Sequence, residues 1–328
     1  LNQELIEEPF KQINEAFMAK HPNIKIQFEI SQTNDSLNVA LQSNELPDCF
    51  MVQGNKSTKM EEMARNGYIL SLEGKVDISR YSDAEIAYSQ VDGQLYCSLP
   101  SFLDTNLVYY NADVFESEGL TAPATWQEFT ALCDTLVSKS ITPIAYPAAT
   151  DWDNFWPLMA FAPSFANDAL TNVTTGTGTF VDPSLALAFN NFRSFAEKGY
   201  FGKNFVATDA QGAQLAFTNG KAAMIIDGTW NNVLYESAGM NLGYFYVPNE
   251  EGKRVAQTSL CNFMTYAVAA KTEHPEEAMM YVDFLSSLEA QQIMENAVGY
   301  VPTVKDIVPK DETVGKMSAF DSLGWNVY

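Results

Sequence analysis

Apolar positions recur along this chain in two alternating rhythms. Ile6, Phe10, Ile13 and Phe17 stand three or four residues apart, which predicts an amphipathic helix over about Glu8–Lys20, stopped by His21-Pro22. Ile24, Ile26, Phe28 and Ile30 then alternate with Lys25, Gln27 and Glu29, the period of a strand with one buried face. A helix at about Asp35–Gln42 and an apolar strand at Asp48–Gln53 (DCFMVQ) follow. After a break at Gly54, a helix runs through Met60 and Met63 to Gly67. Strand alternating with helix at this cadence means βαβ units and a largely parallel sheet, an α/β protein.

Further along, a looser segment, Asp77–Gly93, leads to a run at Gln94–Leu99. Leu107–Tyr110, apolar and aromatic between Asn106 and Asn111, suits a strand that crosses between lobes. Thr125 with Glu128 forms a capping box that starts a helix running to about Ser138. Tyr146–Trp156 (YPAATDWDNFW) reads as a loop rich in aromatics. Asp182 caps and Pro183 opens a helix whose Leu185, Phe189, Phe192 and Phe195 form one stripe, assigned to the core. Strands are expected near Leu242–Val247 and Phe263–Ala269, with a polar loop or hairpin, Pro248–Arg254, between them. Two helices follow, Pro275–Leu285 and Leu288–Ala297, the second with Ser286 and Glu289 as its capping box. The tail to Tyr328 reads as irregular.

The stretch Phe217–Asn232 (FTNGKAAMIIDGTWNN) carries the sharpest functional signal. A helix capped by Asn219-Gly220 leads into a strand, Ala222–Ile226, that breaks at Asp227-Gly228 and turns into Thr229-Trp230. A Trp just past the carboxyl end of a buried strand stands where an open α/β sheet meets its ligand. Core packing is the ordinary alternative for an indole.

Composition narrows the function. A length of 328 residues suits two compact lobes. With no Pro/Gly/Ser-rich linker, the chain is expected to cross between them more than once. Net charge is −22, from 41 acidic and 19 basic side chains, which repels phosphate backbones and anionic membranes. Nucleic acid is therefore excluded as a partner, and a soluble monomer is expected. Cys49, Cys97, Cys133 and Cys261 lie far apart without a CxxC, so free buried thiols are expected and neither a disulfide framework nor a zinc site. Two histidines, His21 and His274, leave little for a metal centre or a Ser-His-Asp triad. No apolar run is long enough to cross a bilayer. The chain opens inside a helix pattern without a methionine or signal segment, so a trimmed or mature form is expected.

Enzymatic motifs are missing. Gly54-Asn55-Lys56-Ser57-Thr58 lacks the spacing of a phosphate-binding loop, and there is no GxGxxG, HExxH, GxSxG or EF-hand loop. No cofactor is implied. What remains is Trp152, Trp156 and Trp230 with Asp104, Asp151, Asp153 and Asp227 at turns. Sugars need that mixture: pyranose C–H faces stack on aromatic rings while carboxylates and amides bind vicinal hydroxyls. For Asp227, a turn role before Gly228 is the ordinary reading.

Leu99–Glu116 (LPSFLDTNLVYYNADVFE), followed by Pro123–Phe129 (PATWQEF), resembles the extracellular solute-binding proteins of bacterial carbohydrate ABC transporters, the maltose-binding-protein-like family. Similar runs are Ala16–Ile26, Leu46–Gly54, Phe217–Trp230, Tyr266–Leu285 and Ala290–Pro302, in the family's order over nearly the whole chain. The resemblance implies a two-lobed periplasmic-binding-protein-like fold with mostly parallel sheets, helices on their faces, hinge strands and a ligand cleft. Lobe 1 would hold 1–107 and 262–303, lobe 2 108–261 and 304–328. Closure on a carbohydrate would create the surface that a membrane permease recognises. The location implied is outside the cell, either lipid-anchored at the surface or periplasmic.

Carried across residue by residue, the resemblance places Gln53 and Asn55 after the second strand of lobe 1. Asp104 and Thr105 would stand in the turn before the crossing strand, and Trp152 and Asp153 on an aromatic loop with Trp156. Trp230 becomes the stacking platform, Asn262 a residue of the cleft floor and Tyr300 a ligand-touching loop residue. Trp126, in the first turn of a helix, is assigned to packing. The family's strand before the first helix and its further C-terminal helices have no counterpart here. Cys261-Asn262 replaces its usual glycines. Two other readings stay open: a glycoside hydrolase using Asp151 and Asp153, and a receptor of the same fold for a polyamine, peptide or ferric ion. Iron would want paired tyrosines, and alternation points Tyr109 and Tyr110 to opposite faces.

Overall fold

The computed structural model describes residues 3–30, 36–54, 58–100, 102–174, 176–260, 264–298, 301, 302, 304, 306–310, 317 and 320–326. The chain forms two compact units: Leu1–Leu103 with Leu260–Glu312 and Tyr328, and Asp104–Ser259 with Thr313–Val327. The first unit opens with α1 (Gln3–Lys20), α2 (Ser36–Ser43), β1 (Cys49–Met51), α3 (Thr58–Arg65), α4 (Asp83–Tyr88), β2 (Gln90–Val91) and β3 (Gln94–Leu95). Strand β4 (Phe102–Asn111) leads into the second unit. There follow α5 (Ala112–Glu118), α6 (Trp126–Ser138), β5 (Thr142–Ala145), α7 (Asp151–Thr174), α8 (Pro183–Glu197) and α9 (Ala210–Thr218). Next come β6 (Ala222–Gly228), α10 (Asn232–Ser237), β7 (Leu242–Phe245) and β8 (Val255–Leu260). The first unit then receives β9 (Tyr266–Val268), α11 (Pro275–Leu285), α12 (Leu288–Val298) and β10 (Val301–Pro302), and the second receives β11 (Ser322–Asn326).

In the first unit, α1 buries Phe10, Ile13 and Phe17 at the predicted spacing, with Phe17 edge-on to Tyr281 of α11 at 5.2 Å. The alternation after it is real in burial: Ile24, Ile26, Phe28 and Ile30 are partly buried, and Lys25, Gln27 and Glu29 are exposed. Phe28 stacks on Phe10 at 4.9 Å. The segment joins no ladder among the described residues, so period-2 burial here reflects packing on a helix rather than strand pairing. β1 pairs antiparallel with β9, Phe50 opposite Ala267, over a core of Val52, Met60, Met63 and Ile69. Burial pushes the Cys49 and Cys97 thiols up to about 12, and Asp48 adds to the effect at Cys49. Both are free, as is Cys133; Cys261 lies outside the described residues.

In the second unit the strand order is β11-β8-β4-β6-β5, with β7 also on β4. β5–β6 and β11–β8 are parallel, but β4 runs antiparallel to both β6 and β7. The sheet is mixed rather than largely parallel because the strand that enters the unit lies between two that run against it. Trp126 stacks on Phe195 at 4.9 Å and meets Phe161 and Phe165 edge-on, confirming its packing role. Each such buried ring contributes about 1.5–3 kcal/mol.

Local departures have physical causes. Leu185 and Phe195 are buried and Phe192 packs at the core's edge, but Phe189 is 44% exposed. Four residues on from Leu185, the 100° step carries Phe189 away from the face set by Ala188 and Phe195. The expected aromatic loop ends at Thr150, and Trp152 to Trp156 belong to α7, a helix containing Pro157 and Pro163 and broken locally at Ala166. Ser287, not Ser286, accepts from the Ala290 N–H to cap α12, whereas Ser286 Oγ accepts from the Leu99 N–H. The tail is not irregular throughout: β11 joins β8, and the Asp321 carboxylate accepts from the Arg254 backbone N–H at 2.8 Å and from its guanidinium.

Candidate functional site

The site begins where β6 ends. Its apolar run carries the ladder through Asp227 and Gly228, paired with Leu107 and Asn106 of β4. The strand therefore ends two residues later than the Asp-Gly signal suggests, at a single 3-10 turn, Thr229–Asn231. Trp230 is half-buried on that turn. Its indole folds back over Gly228: a Cβ there would lie 2.3 Å from three ring carbons. Gly228 has extended backbone, φ −82° and ψ 156°, so the position requires glycine for space rather than conformation. Trp156 of α7, only 8% exposed, meets Trp230 edge-on with centroids 4.9 Å apart and planes at 65°. The two indoles converge, with Trp156 behind and Trp230 partly open to solvent.

β4 supplies the neighbouring polar edge. Asp104, Thr105 and Asn106 are 8%, 2% and 1% exposed, and they lie within β4 rather than in a turn before it. Thr105 and Asn106 reach beyond the ladder for further partners. The Thr105 N–H donates to Thr229 Oγ1 at 3.2 Å. Asn106 Nδ2 donates to the Trp156 carbonyl at 3.0 Å and to Gln257 Oε1 of β8 at 2.8 Å. Asn106 thus ties the strand below Trp230 to the helix that carries Trp156. Neither Asn106 nor Gln257 was among the expected site residues. The available signal was an amide set directly against the apolar run LVYY.

Asp227 faces inward. Its carboxylate accepts from the Gly228 N–H (2.8 Å), Asn231 Nδ2 (3.0 and 2.9 Å), Gln214 Nε2 of α9 (3.3 Å) and the Tyr235 hydroxyl of α10 (2.5 Å). Burial pushes its carboxyl above the usual range, while the Tyr235, Asn231, Gly228 and Gln214 donors pull the other way. Burial, aided by Asp227, likewise raises the Tyr109 and Tyr235 phenols. With both oxygens engaged, Asp227 takes the turn role rather than that of a ligand carboxylate.

The remaining expected residues are placed as follows. Gln53 is exposed after β1. Gly54 next to it has φ +54° and packs so closely on Tyr88 that a Cβ would sit 2.3 Å from the ring. Trp152 and Asp153 occupy the first turn of α7, and their side chains lie outside the described residues, as do Asn55, Asn262 and Tyr300 entirely. Tyr109 packs with Tyr235 and Tyr244, whereas Tyr110 stacks on Phe115, so the tyrosine pair does not converge. Among the described residues no group of three or more His, Cys, Asp or Glu could hold a metal ion. No helix there is long and apolar enough to cross a membrane.

The end of β6 thus carries a partly exposed indole on a turn, backed by a second indole and framed by buried polar side chains. The chain belongs to the bacterial extracellular solute-binding protein family, which matches residues 3–292. It is similar to the multiple sugar-binding protein of Streptococcus mutans, 23% identical over 90% of this chain and 72% of the relative. The galactooligosaccharide-binding protein of Bacillus subtilis is 26% identical over 83% and 64%. The chain therefore spans about two-thirds to three-quarters of these relatives' length. Among solved structures, the raffinose complex of the solute-binding protein RafE superposes with a TM-score of 0.80, 22% identity, and 99% and 88% coverage of the two chains. A chitin oligosaccharide binding protein superposes with a TM-score of 0.79, 20% identity, and 96% and 82% coverage. The fold is that of the two-lobed solute-binding proteins, and the protein is a receptor, not an enzyme. The hydrolase reading built on Asp151 and Asp153 has no support.

Proposed function

We propose that this protein captures a neutral oligosaccharide outside the cell and delivers it, unaltered, to the membrane permease of an ABC transporter. It acts as a monomer, lipid-anchored or periplasmic, with no nucleic-acid partner. The observation that carries the reading is the Trp230 indole, partly open and held edge-on by Trp156 over a residue with no side chain. A flat ring fixed in this way suits the apolar face of a pyranose. Asp104 and Thr105 beside it, with Trp152, Asp153, Gln53, Asn55, Asn262 and Tyr300, are the proposed hydroxyl-binding and flanking groups. The names of relatives that bind multiple sugars, galactooligosaccharide and maltooligosaccharide support a carbohydrate. A net charge of −22 disfavours acidic sugars.

Thermal unfolding against raffinose, maltotriose, chitobiose and spermidine tests the proposal. One or more neutral sugars should raise Tm in a concentration-dependent way, equivalent to about 2.7 kcal/mol at a hundredfold excess over Kd. No reducing ends should be released, and Trp230→Ala should remove the shift. A Tm that responds to spermidine and to none of the sugars would assign a different cargo.

A further inference from the structure

We infer that Asp227 is a positioning residue of the carbohydrate site: its carboxylate clamps the Thr229–Asn231 turn to α9 and α10 and so sets the orientation of the Trp230 indole. This rests on the proposed sugar-binding role of Trp230. The geometry of the clamp stands independently of any ligand.

Two donors to the carboxylate come from the turn itself and bracket Trp230 in sequence: the Gly228 N–H before it and the Asn231 amide after it. The other two come from separate helices. Gln214 reaches in from α9 at 3.3 Å and Tyr235 from α10 at 2.5 Å. Tyr235 is itself fixed, its ring 5.0 Å from Tyr109 of β4 and 5.3 Å from Phe217 of α9. An Asp-Gly turn at a surface needs one side-chain bond to its own backbone. Here a buried carboxylate is surrounded by donors from four residues, and burying a charge is costly unless it is paired in this way. The clamp over-determines the turn: Thr229 is buried, Asn231 is tied to the carboxylate, and Trp230 stands between them partly open. Sites that bind through a rigid platform lose less freedom on binding, and this carboxylate supplies the rigidity from behind.

The test compares the parent, Asp227→Asn and Tyr235→Phe, each with and without Trp230→Phe, so that Trp230 fluorescence is obtained by difference. Asp227→Asn keeps the volume but turns an NH2 towards donors, and Tyr235→Phe removes one donor while keeping the ring. Both should shift Trp230 emission to the red and raise its quenching by acrylamide, Asp227→Asn the more. With raffinose and maltotriose as probes, whichever binds the parent should bind Asp227→Asn about tenfold more weakly, about 1.4 kcal/mol. Unchanged Trp230 emission and quenching in both variants would overturn the inference. The fluorescence measurement uses no sugar. If neither probe binds the parent, the carbohydrate reading of Trp230 is what fails, and the quenching still decides the clamp. If Asp227→Asn does not fold by far-ultraviolet circular dichroism, Tyr235→Phe decides alone.

Discussion

Replacing Gly228 by alanine puts the geometry of the site to its most direct test. The added Cβ would stand 2.3 Å from three carbons of the Trp230 ring. Ordinary carbon contacts begin at about 3.5 Å, so the indole must move by roughly 1.2 Å or rotate out. Backbone strain contributes nothing, because φ −82° and ψ 156° are open to alanine. The indole cannot simply recede, since Trp156 meets it edge-on at 4.9 Å. Overpacking of this kind costs about 1–3 kcal/mol, and for a unit of this size each kcal/mol lowers Tm by about 2–4 °C. The measurement is a double-mutant cycle by urea unfolding: parent, Gly228→Ala, Trp230→Ala and both together. If the clash is the cause, most of the cost of Gly228→Ala should vanish once the indole is gone, a coupling of about 1–3 kcal/mol. An equal cost with and without Trp230 would refute the reasoning. So would a Gly228→Ala protein that keeps both stability and Trp230 emission.

Other outcomes follow from groups away from Trp230. Trp126→Ala, which empties a ring stacked on Phe195, should cost about 3–5 kcal/mol in urea unfolding and leave Trp230 emission unchanged. Side-chain and backbone hydrogen bonds from Arg254 hold the Asp321 carboxyl below its ordinary range. A depressed folded-state pKa gives stability that is present above the unfolded value near pH 4 and lost as pH falls through the folded one. Protection of the β11 amides, measured against their intrinsic exchange rates, should therefore fall on acidification below about pH 4, and Asp321→Asn should remove that dependence. Asp227 acts with opposite sign: its raised folded pKa makes protonation favour the native state as pH falls through that value. Cys97, pushed up to about 12 by burial, should resist a thiol reagent in the native protein at pH 8 and react on unfolding.

Much of the architecture was legible where one force acts alone. The stripe Phe10-Ile13-Phe17 and the Asp182-Pro183 start required only helical spacing and a cap, and both stand as read. Misreadings came where tertiary partners decide. Asp104 and Thr105, which the resemblance puts in a turn, and Asn106, read as the edge of the next strand, all enter the buried strand β4. Thr229, Trp156 and Gln257, distant in sequence, supply the bonds that let them do so. The proline-bearing α7 was hidden by its own breakers, and β8 by a polar middle, Gln257-Thr258-Ser259. At the site, Trp230 stood out because an indole after Asp-Gly is conspicuous. The turn role of Asp227 was legible too, but not its donors Gln214 and Tyr235, which lie on two separate helices.

The first unit is assembled from both ends of the chain. The Thr265 hydroxyl donates to the Val52 carbonyl, a contact 213 positions apart, and among the described residues β1 has its ladder partner in β9. During synthesis the second unit can close from nearly continuous sequence while β1 waits for a neighbour still to be made. Loop closure over such a span is slow. The early third of the chain therefore stays an open half-unit, its sheet incomplete, until the segment around β9 has been made.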